Sequence, residues 1–184
     1  MPKSLHKVTK QIAKKRGHKA SAIHEFSRDS RRLQRAGLRD EKLIRLASSR
    51  SKANQPHLQR IHHFQLLAQS LDDDDASTPF TDSSFHAAIA SFIHRDDDEL
   101  ASLQASRRPG RPPTPREELV KQRVAAEEKE FDGGFYCPDM LDAATVGKLR
   151  GWDGEWVSCN AMKFVRVTRA GETRESVWPP KGLS

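Results

Sequence analysis

Ile23-His-Glu-Phe-Ser-Arg-Asp-Ser-Arg-Arg-Leu-Gln-Arg-Ala-Gly-Leu-Arg-Asp-Glu-Lys-Leu-Ile-Arg-Leu-Ala-Ser-Ser-Arg-Ser51 carries two faces on one helical period. Ser27 is a good N-cap, because its hydroxyl can accept a free amide at the helix start. No proline interrupts residues 28–51. At about 100° per residue, Arg28, Arg31, Arg32, Arg35, Arg39 and Lys42 fall in an arc about 100° wide, with no acid among them. Leu33, Ala36, Leu43, Ile44 and Ala47 fall on an adjoining face. The stretch predicts one helix about 37 Å long. Gly37 weakens it by about 1 kcal/mol relative to Ala and allows a bend. Most charge runs are solvated helix faces, but random scatter rarely puts six cations on one stripe with no acid among them, and the stripe reads as a surface for a polyanion.

The chain has 184 residues, enough for one modest core plus tails. Apolar residues make up 35% and charged residues 31%, which predicts a molecule partly extended over a partner. The formal charge of +7 is unevenly spread: +13 over 1–60, −8 over 61–104 and +2 over 105–184. A cationic end joined to an acidic middle suits nucleic acid better than solution chemistry, and an acidic block of this charge could also screen the basic arm until RNA displaces it. Cys137 and Cys159 are the two cysteines. Nothing resembles a secretory signal, so reduced thiols in a cytosolic or nuclear setting are expected. No apolar run approaches the ~18 residues of a membrane span.

Residues 1–22 read as a basic arm with too few apolar side chains to bury anything. It is expected to be disordered alone and helical around Thr9–Lys15 once bound. Lys14-Lys15-Arg16, with Lys7, Lys10 and Lys19 nearby, resembles a nuclear-import cluster and suits phosphates equally. Asn54-Gln55-Pro56 predicts a turn with Pro opening a second helix, whose apolar face is Leu58, Ile61, Phe64, Leu67, Ala68 and Leu71. His57, His62 and His63 read as helix-surface histidines, because no further ligand stands at metal spacing. Asp72–Asp75 opposes the helix dipole and ends that helix.

Thr81 or Asp82 can cap the next helix, with Phe85, Ala88, Ile89, Phe92 and Ile93 inward and Leu100 and Leu103 continuing the face. Asp96 projects from that face, so either it meets an Arg of the basic helix or the helix breaks near Asp96-Asp97-Asp98. Arg107-Arg108-Pro109-Gly110-Arg111-Pro112-Pro113 is a stiff cationic loop. Its Gly-Arg-Pro core resembles an AT-hook, and Arg108 and Arg111 are its candidate phosphate contacts. Thr114-Pro115-Arg116-Glu117 combines a capping box with Pro at the first helical position, ahead of a face of Leu119, Val120, Val124 and Phe131. Glu127, Glu128 and Glu130 read as a solvated carboxylate cluster.

Asp132-Gly133-Gly134 stops this helix. Phe135 to Leu141 reads as an apolar turn tucked into the core, and Asp142 caps a short helix that points Val146, Leu149 and Trp152 inward, with Trp156 closing the cluster. Alternation from Met162 to Trp178 about a Gly-containing turn predicts a small hairpin. The expected class is therefore mainly α: an extended, irregular protein of four to five helices with a basic N-terminal arm and a small C-terminal β-hairpin. Its parts are the arm (1–22), a helical body (23–156) with an acidic linker and the loop at 107–113, and a C-terminal extension (157–184).

No nucleophile elbow, phosphate loop, zinc spacing or catalytic dyad is present, so no enzyme, cofactor or metal is expected. Two stretches do resemble a known family. His24-Glu25-Phe26-Ser27-Arg28-Asp29-Ser30-Arg31-Arg32 looks like the start of the translation machinery-associated protein 16 family, of the fungal kind. Arg116 to Arg123, Glu130-Phe131-Asp132, Pro138-Asp139-Met140-Leu141-Asp142 and Leu149-Arg150-Gly151-Trp152-Asp153 look like its C-terminal half. Glu25 stands where the family favours Pro, and neither the 107–113 loop nor the 162–178 segment matches anything in it. The resemblance implies a small eukaryotic, non-catalytic helical factor on nuclear precursors of the large ribosomal subunit.

The expected function is that of a ribosome-assembly factor of the nucleus, including the nucleolus, extending to cytoplasmic ribosomal particles. It would be monomeric within the pre-60S particle, with no membrane or small-molecule partner. Lys7, Lys10, Lys14, Lys15, Arg16, Lys19, Arg28, Arg31, Arg32, Arg35, Arg39, Lys42, Arg108 and Arg111 are its candidate contacts to ribosomal RNA. Trp156, Phe164 and Trp178 are its candidate contacts to ribosomal or assembly proteins. The rival readings are a chromatin or DNA binder using the AT-hook-like loop, and a protein-only scaffold whose acidic middle recruits basic partners.

Overall fold

The computed structural model describes residues 4–17, 23–70, 80–108 and 110–180, with Arg16 by its backbone. Among these residues the elements run α1 (Leu5–Arg16), α2 (Arg28–Gln69), α3 (Asp82–Ile93), α4 (Asp97–Ser106), α5 (Pro115–Gly133), β1 (Phe135–Pro138), α6 (Ala143–Arg150), β2 (Phe164–Val167) and β3 (Thr173–Ser176). The class is mainly α with a small C-terminal sheet, as expected. Contacts divide the chain at Gln55–Pro56 into two units, and α2 passes from the first into the second.

In the first unit, Ser27 caps α2 as expected, its hydroxyl accepting from Ser30 N at 3.1 Å. The arm departs from expectation. Ser4 caps α1, and Leu5, Val8 and Ile12 recur at helical spacing. Val8 and Ile12 are each 3% exposed against Ala36 of α2, with Leu5, Ile23 and Leu33 at the margin. Asp40 of α2 accepts the free N–H of Leu5 at 3.1 Å, and Arg32 donates to Gln11 at 3.0 Å. The two helices therefore run antiparallel. Burying two aliphatic side chains stabilises by about 1.5–3 kcal/mol each, which the reading of an apolar-poor arm overlooked. Beyond α1 the apolar face of α2 is uncovered: Leu43, Ile44 and Leu46 are all exposed.

The expected turn at Asn54-Gln55-Pro56 is absent, and Pro56 lies inside α2. Proline removes one backbone donor there, but the residues on either side keep helical spacing and the helix runs on.

The second unit is built on the C-terminal part of α2. Ile61, Phe64 and Ala68 are buried among Phe85, Ile89, Phe92 and Ile93 of α3, which Thr81 caps through its hydroxyl on Ser84 N. Phe131, Leu149 and Trp152 complete the core with Phe135, Met140 and Val146. The face of α5 is narrower than expected, since Leu119 is exposed. The helix after α3 breaks at 94–96, one of the two outcomes foreseen for Asp96. Asp96 pairs with Arg123 of α5 rather than with the basic helix. At the start of α5, Thr114 Oγ1 accepts from Glu117 N at 3.2 Å, so half of the capping box forms. The Glu117 side chain is fully buried instead, bonded by Lys121 Nζ at 2.7 Å.

The 135–141 stretch is not simply a turn. Phe135–Pro138 forms β1, buried at all four positions. It pairs antiparallel with β2 (Phe135↔Val167, Pro138↔Phe164), which pairs antiparallel with β3 (Phe164↔Ser176, Val167↔Thr173). The expected hairpin exists, and it packs into the core through Phe164, Val165 and Val167. Asp142 caps α6 by accepting from Thr145 N at 3.1 Å.

Two of the three carboxylates expected to be solvated are internal ion pairs. Glu127 takes both Nη atoms of Arg95, at 2.7 and 2.9 Å. Glu130 takes both Nη atoms of Arg60 at 2.8 Å, and Arg60 is 8% exposed. Arg60 also donates to Tyr136 O at 2.9 Å, while Glu130 accepts from Tyr136 N at 3.1 Å. Burial raises the Glu130 carboxyl, but the Arg60 guanidinium and the Tyr136 amide outweigh it and hold it below its ordinary 4.5.

Arg60→Met strands the Glu130 carboxylate and should cost about 3–5 kcal/mol in urea unfolding near neutral pH. Because the folded carboxyl titrates below its unfolded value, the pair contributes fully above about pH 4.5 and less as pH falls below it. The gap between wild type and variant should therefore shrink in acid, and an equal gap at every pH would refute the pair's role. In the first unit, Ile12→Ala should cost about 2–5 kcal/mol. Amides of residues 8–16 should then exchange freely while those of 85–93 stay protected; unchanged protection over 8–16 would contradict the docking of α1.

Candidate nucleic-acid interface

The cationic stripe survives in three dimensions. Arg28, Arg31, Arg35, Arg39 and Lys42 are exposed on α2, and among the described residues no carboxylate pairs with any of them. Arg32 is half-buried, held by its bond to Gln11. Arg35 Nε donates to Arg31 O at 3.3 Å, which lays its guanidinium along the helix. The antiparallel α1 brings Lys7, Lys10, Lys14 and Lys15 to the same unit, all exposed. Lys7, Lys10 and Lys14 share an arc of about 60°. Lys19, and the Arg16 side chain, lie outside the described residues.

Two recesses open along this surface. One, of about 230 Å³, has Val8 and Ala36 as an apolar floor and Arg32, Arg35 and Arg39 as walls. The next, of about 520 Å³, is lined by Arg28, Arg31, Gln34 and Arg35, so Arg35 stands between them. Guanidinium groups bind phosphate in a bidentate way and stack on bases, so this arrangement can hold a nucleic-acid strand. The residues that sequence reasoning missed are Val8, Ile12 and Gln11, which dock α1 on α2. Their trace in the sequence is faint: three apolar residues, Leu5, Val8 and Ile12, at helical spacing behind a serine cap.

The 107–113 loop belongs to the second unit. Gly110 takes φ 84°, a left-handed value suited to glycine, and Arg111 N donates to Arg108 O at 3.2 Å. Arg108 and Arg111 are exposed, whereas Arg107 turns inward to 3.8 Å from Glu117.

The three aromatic residues expected to meet proteins differ from one another. Phe164 is 2% exposed, so it is a core residue and is corrected as a partner contact. It stacks on Tyr136 at 5.2 Å and on Trp178 at 4.8 Å. Strand β2 turns it inward opposite β1. Trp156 and Trp178 are half-buried, 4.2 Å apart, and joined by a bond from Trp178 Nε1 to Trp156 O.

Of the three histidines expected at the surface, His62 is exposed and the other two are half-buried. His57 rests against Tyr136 and Trp156, and His63 against Phe64 and Phe92. Burial lowers both pKa values below 6.5, helped at His57 by the Arg60 charge. Both cysteines are free thiols in the core; burial pushes Cys137 up strongly and Cys159 to about 11. Among the described residues, no group of three or more His, Cys, Asp or Glu side chains is arranged to hold a metal ion.

Comparison with known proteins gives this geometry relatives. The family model described as "Translation machinery-associated protein 16" matches residues 19–169, which take in the basic helix, the 107–113 loop and β2. The translation machinery-associated protein 16 of Saccharomyces cerevisiae is 35% identical over 170 residues, covering 92% of this chain and 94% of that protein. The Dictyostelium discoideum homologue is 30% identical over 147 residues, 79% of this chain and 78% of its own. The Danio rerio protein is 23% identical over 154 residues, 81% and 77%. The chain belongs to the translation machinery-associated protein 16 family.

Proposed function

We propose that this protein is a non-enzymatic assembly factor of nuclear and nucleolar precursors of the large ribosomal subunit. Its basic helix pair lies on ribosomal RNA, and its second unit meets ribosomal or assembly proteins. The observation that carries the reading is the run of exposed cations on α1 and α2, in a chain whose relatives are named for association with the translation machinery. A stripe whose cations have no carboxylate partners among the described residues retains its field for an outside polyanion. Arg108 and Arg111 add a second, separate set of phosphate contacts. Trp156 and Trp178 present half-buried indole surface, the type enriched where proteins meet. No catalytic step is part of this reading.

Salt titration tests it. Removing one phosphate contact flattens the slope of log affinity against log salt by about 0.7–0.9. Arg28, Arg31, Arg35 and Arg39 replaced together by Ala should reduce the slope for large-subunit RNA by about 3 and weaken binding at every salt concentration. Native purification of the tagged protein should recover large-subunit precursor RNA. An unchanged slope, or recovery of nucleosomal DNA instead, would refute the proposal.

A further inference from the structure

Thr114 sits in Arg111-Pro-Pro-Thr-Pro-Arg116, with proline directly after it and another two residues before it. Every residue from Gly110 to Arg116 is exposed, and residues 111–114 belong to no helix or strand. Thr114 has φ −71° and ψ 153°, and Pro112, Pro113 and Pro115 favour the same extended form around it. An extended, accessible strand is what a protein-kinase substrate groove takes up. The proline after the acceptor has no N–H, so a groove that offers no carbonyl there accepts Thr-Pro and disfavours other residues. Thr114 Oγ1 accepts one bond, from Glu117 N, and among the described residues its own hydroxyl hydrogen has no acceptor. The hydroxyl is free to give its proton to an incoming base.

We propose that Thr114 is a phosphorylation site for a proline-directed protein kinase. In the step, the kinase's catalytic carboxylate takes the hydroxyl proton. Thr114 Oγ1 then forms a bond to the terminal phosphorus of a nucleoside triphosphate as the bond to the nucleoside diphosphate breaks. The product adds about −1.5 to −2 charges within six residues along the chain of Arg108, Arg111 and Arg116. Among the described residues Arg108 and Arg111 have no carboxylate partner to give up, while Arg116 is paired with Glu99 at 2.7 Å on the exposed surface. The phosphate also stands where the Glu117 amide already points, at the end of α5 that favours negative charge. Modification is thus absorbed by the loop without melting α5. On the RNA-binding reading above, the same phosphate draws Arg108 and Arg111 away from RNA and weakens the loop's grip.

The test uses the full chain with a purified proline-directed kinase, magnesium and ATP, and then mass-spectrometric site mapping. Thr114 should be phosphorylated in the wild type. Thr114→Ser should be modified at the same position, and Thr114→Asn, which keeps a capping oxygen, should carry no phosphate there. Absence of phosphate at Thr114 in the folded wild type would overturn the proposal, whether or not Thr78, the other threonine before a proline, is labelled. Phosphorylated and unmodified chains are then titrated with large-subunit RNA. The phosphorylated form should bind about tenfold more weakly, with a salt slope lower by about 0.7–0.9 for each of the two arginines. Equal affinity and slope would overturn the effect on the loop. Failure of the unmodified chain to bind RNA would overturn that effect together with the RNA reading, while the site itself is decided by the mapping alone.

Discussion

One buried ion pair holds the second unit together. β1 is the edge strand on one side of a three-stranded sheet, yet it is buried, so its outward amide and carbonyl cannot turn to water. Left unpaired, each group would cost about 1–3 kcal/mol. Arg60 and Glu130 supply the missing strand between them: the guanidinium donates to the Tyr136 carbonyl, the carboxylate accepts the Tyr136 amide, and the two bind each other twice. Arg60 also lies 4.0 Å over the Phe135 ring. This knot ties α2, α5 and β1 with one set of atoms, which is why a charged residue is found so deep. The chain must reverse at once after α5 to present β1, and Gly134 does so at φ 124° with the Arg166 Cβ close behind.

How much of this was legible depends on the range of each interaction. α3 was read residue by residue, because its cap and its five buried positions are local and periodic. The stripe of α2 was equally plain. Pro56 misled, since proline opens helices more often than it sits within them, and neighbouring helical turns overrode the local signal. Glu127 and Glu130 looked solvated because their partners, Arg95 and Arg60, are 32 and 70 residues away. β1 is four residues long, too short for alternation to declare itself, and the same is true of the three-residue apolar seam of α1. Phe164 is ambiguous in sequence, because aromatic residues mark interfaces and cores alike. At the candidate site the cations were legible, and the contacts that position them were not.

The free charge on the helix pair has an internal explanation. In the second unit four acids of α4 and α5 are committed to neighbouring cations: Glu99 to Arg116, Glu117 to Lys121, Glu127 to Arg95, Glu130 to Arg60. The first unit has its own imbalance: residues 1–55 carry 16 Lys/Arg against 4 Asp/Glu, so its cations far outnumber the carboxylates within it. On the proposed reading, that excess meets its counter-charge in the phosphates of ribosomal RNA.

The sheet has a second edge. β3 pairs on one side only, and its residues Thr173, Arg174 and Glu175 are exposed. A bare strand edge invites another strand to add on, in the manner that seeds fibres and clumps. Here the two flanks are closed by different means. The inner one is plugged by a guanidinium and a carboxylate, while the outer one carries a cation and an anion in adjacent positions, which a docking strand would have to strip of water. A sheet of three short strands is thereby kept from growing, a useful property wherever neighbouring chains are crowded and half-folded.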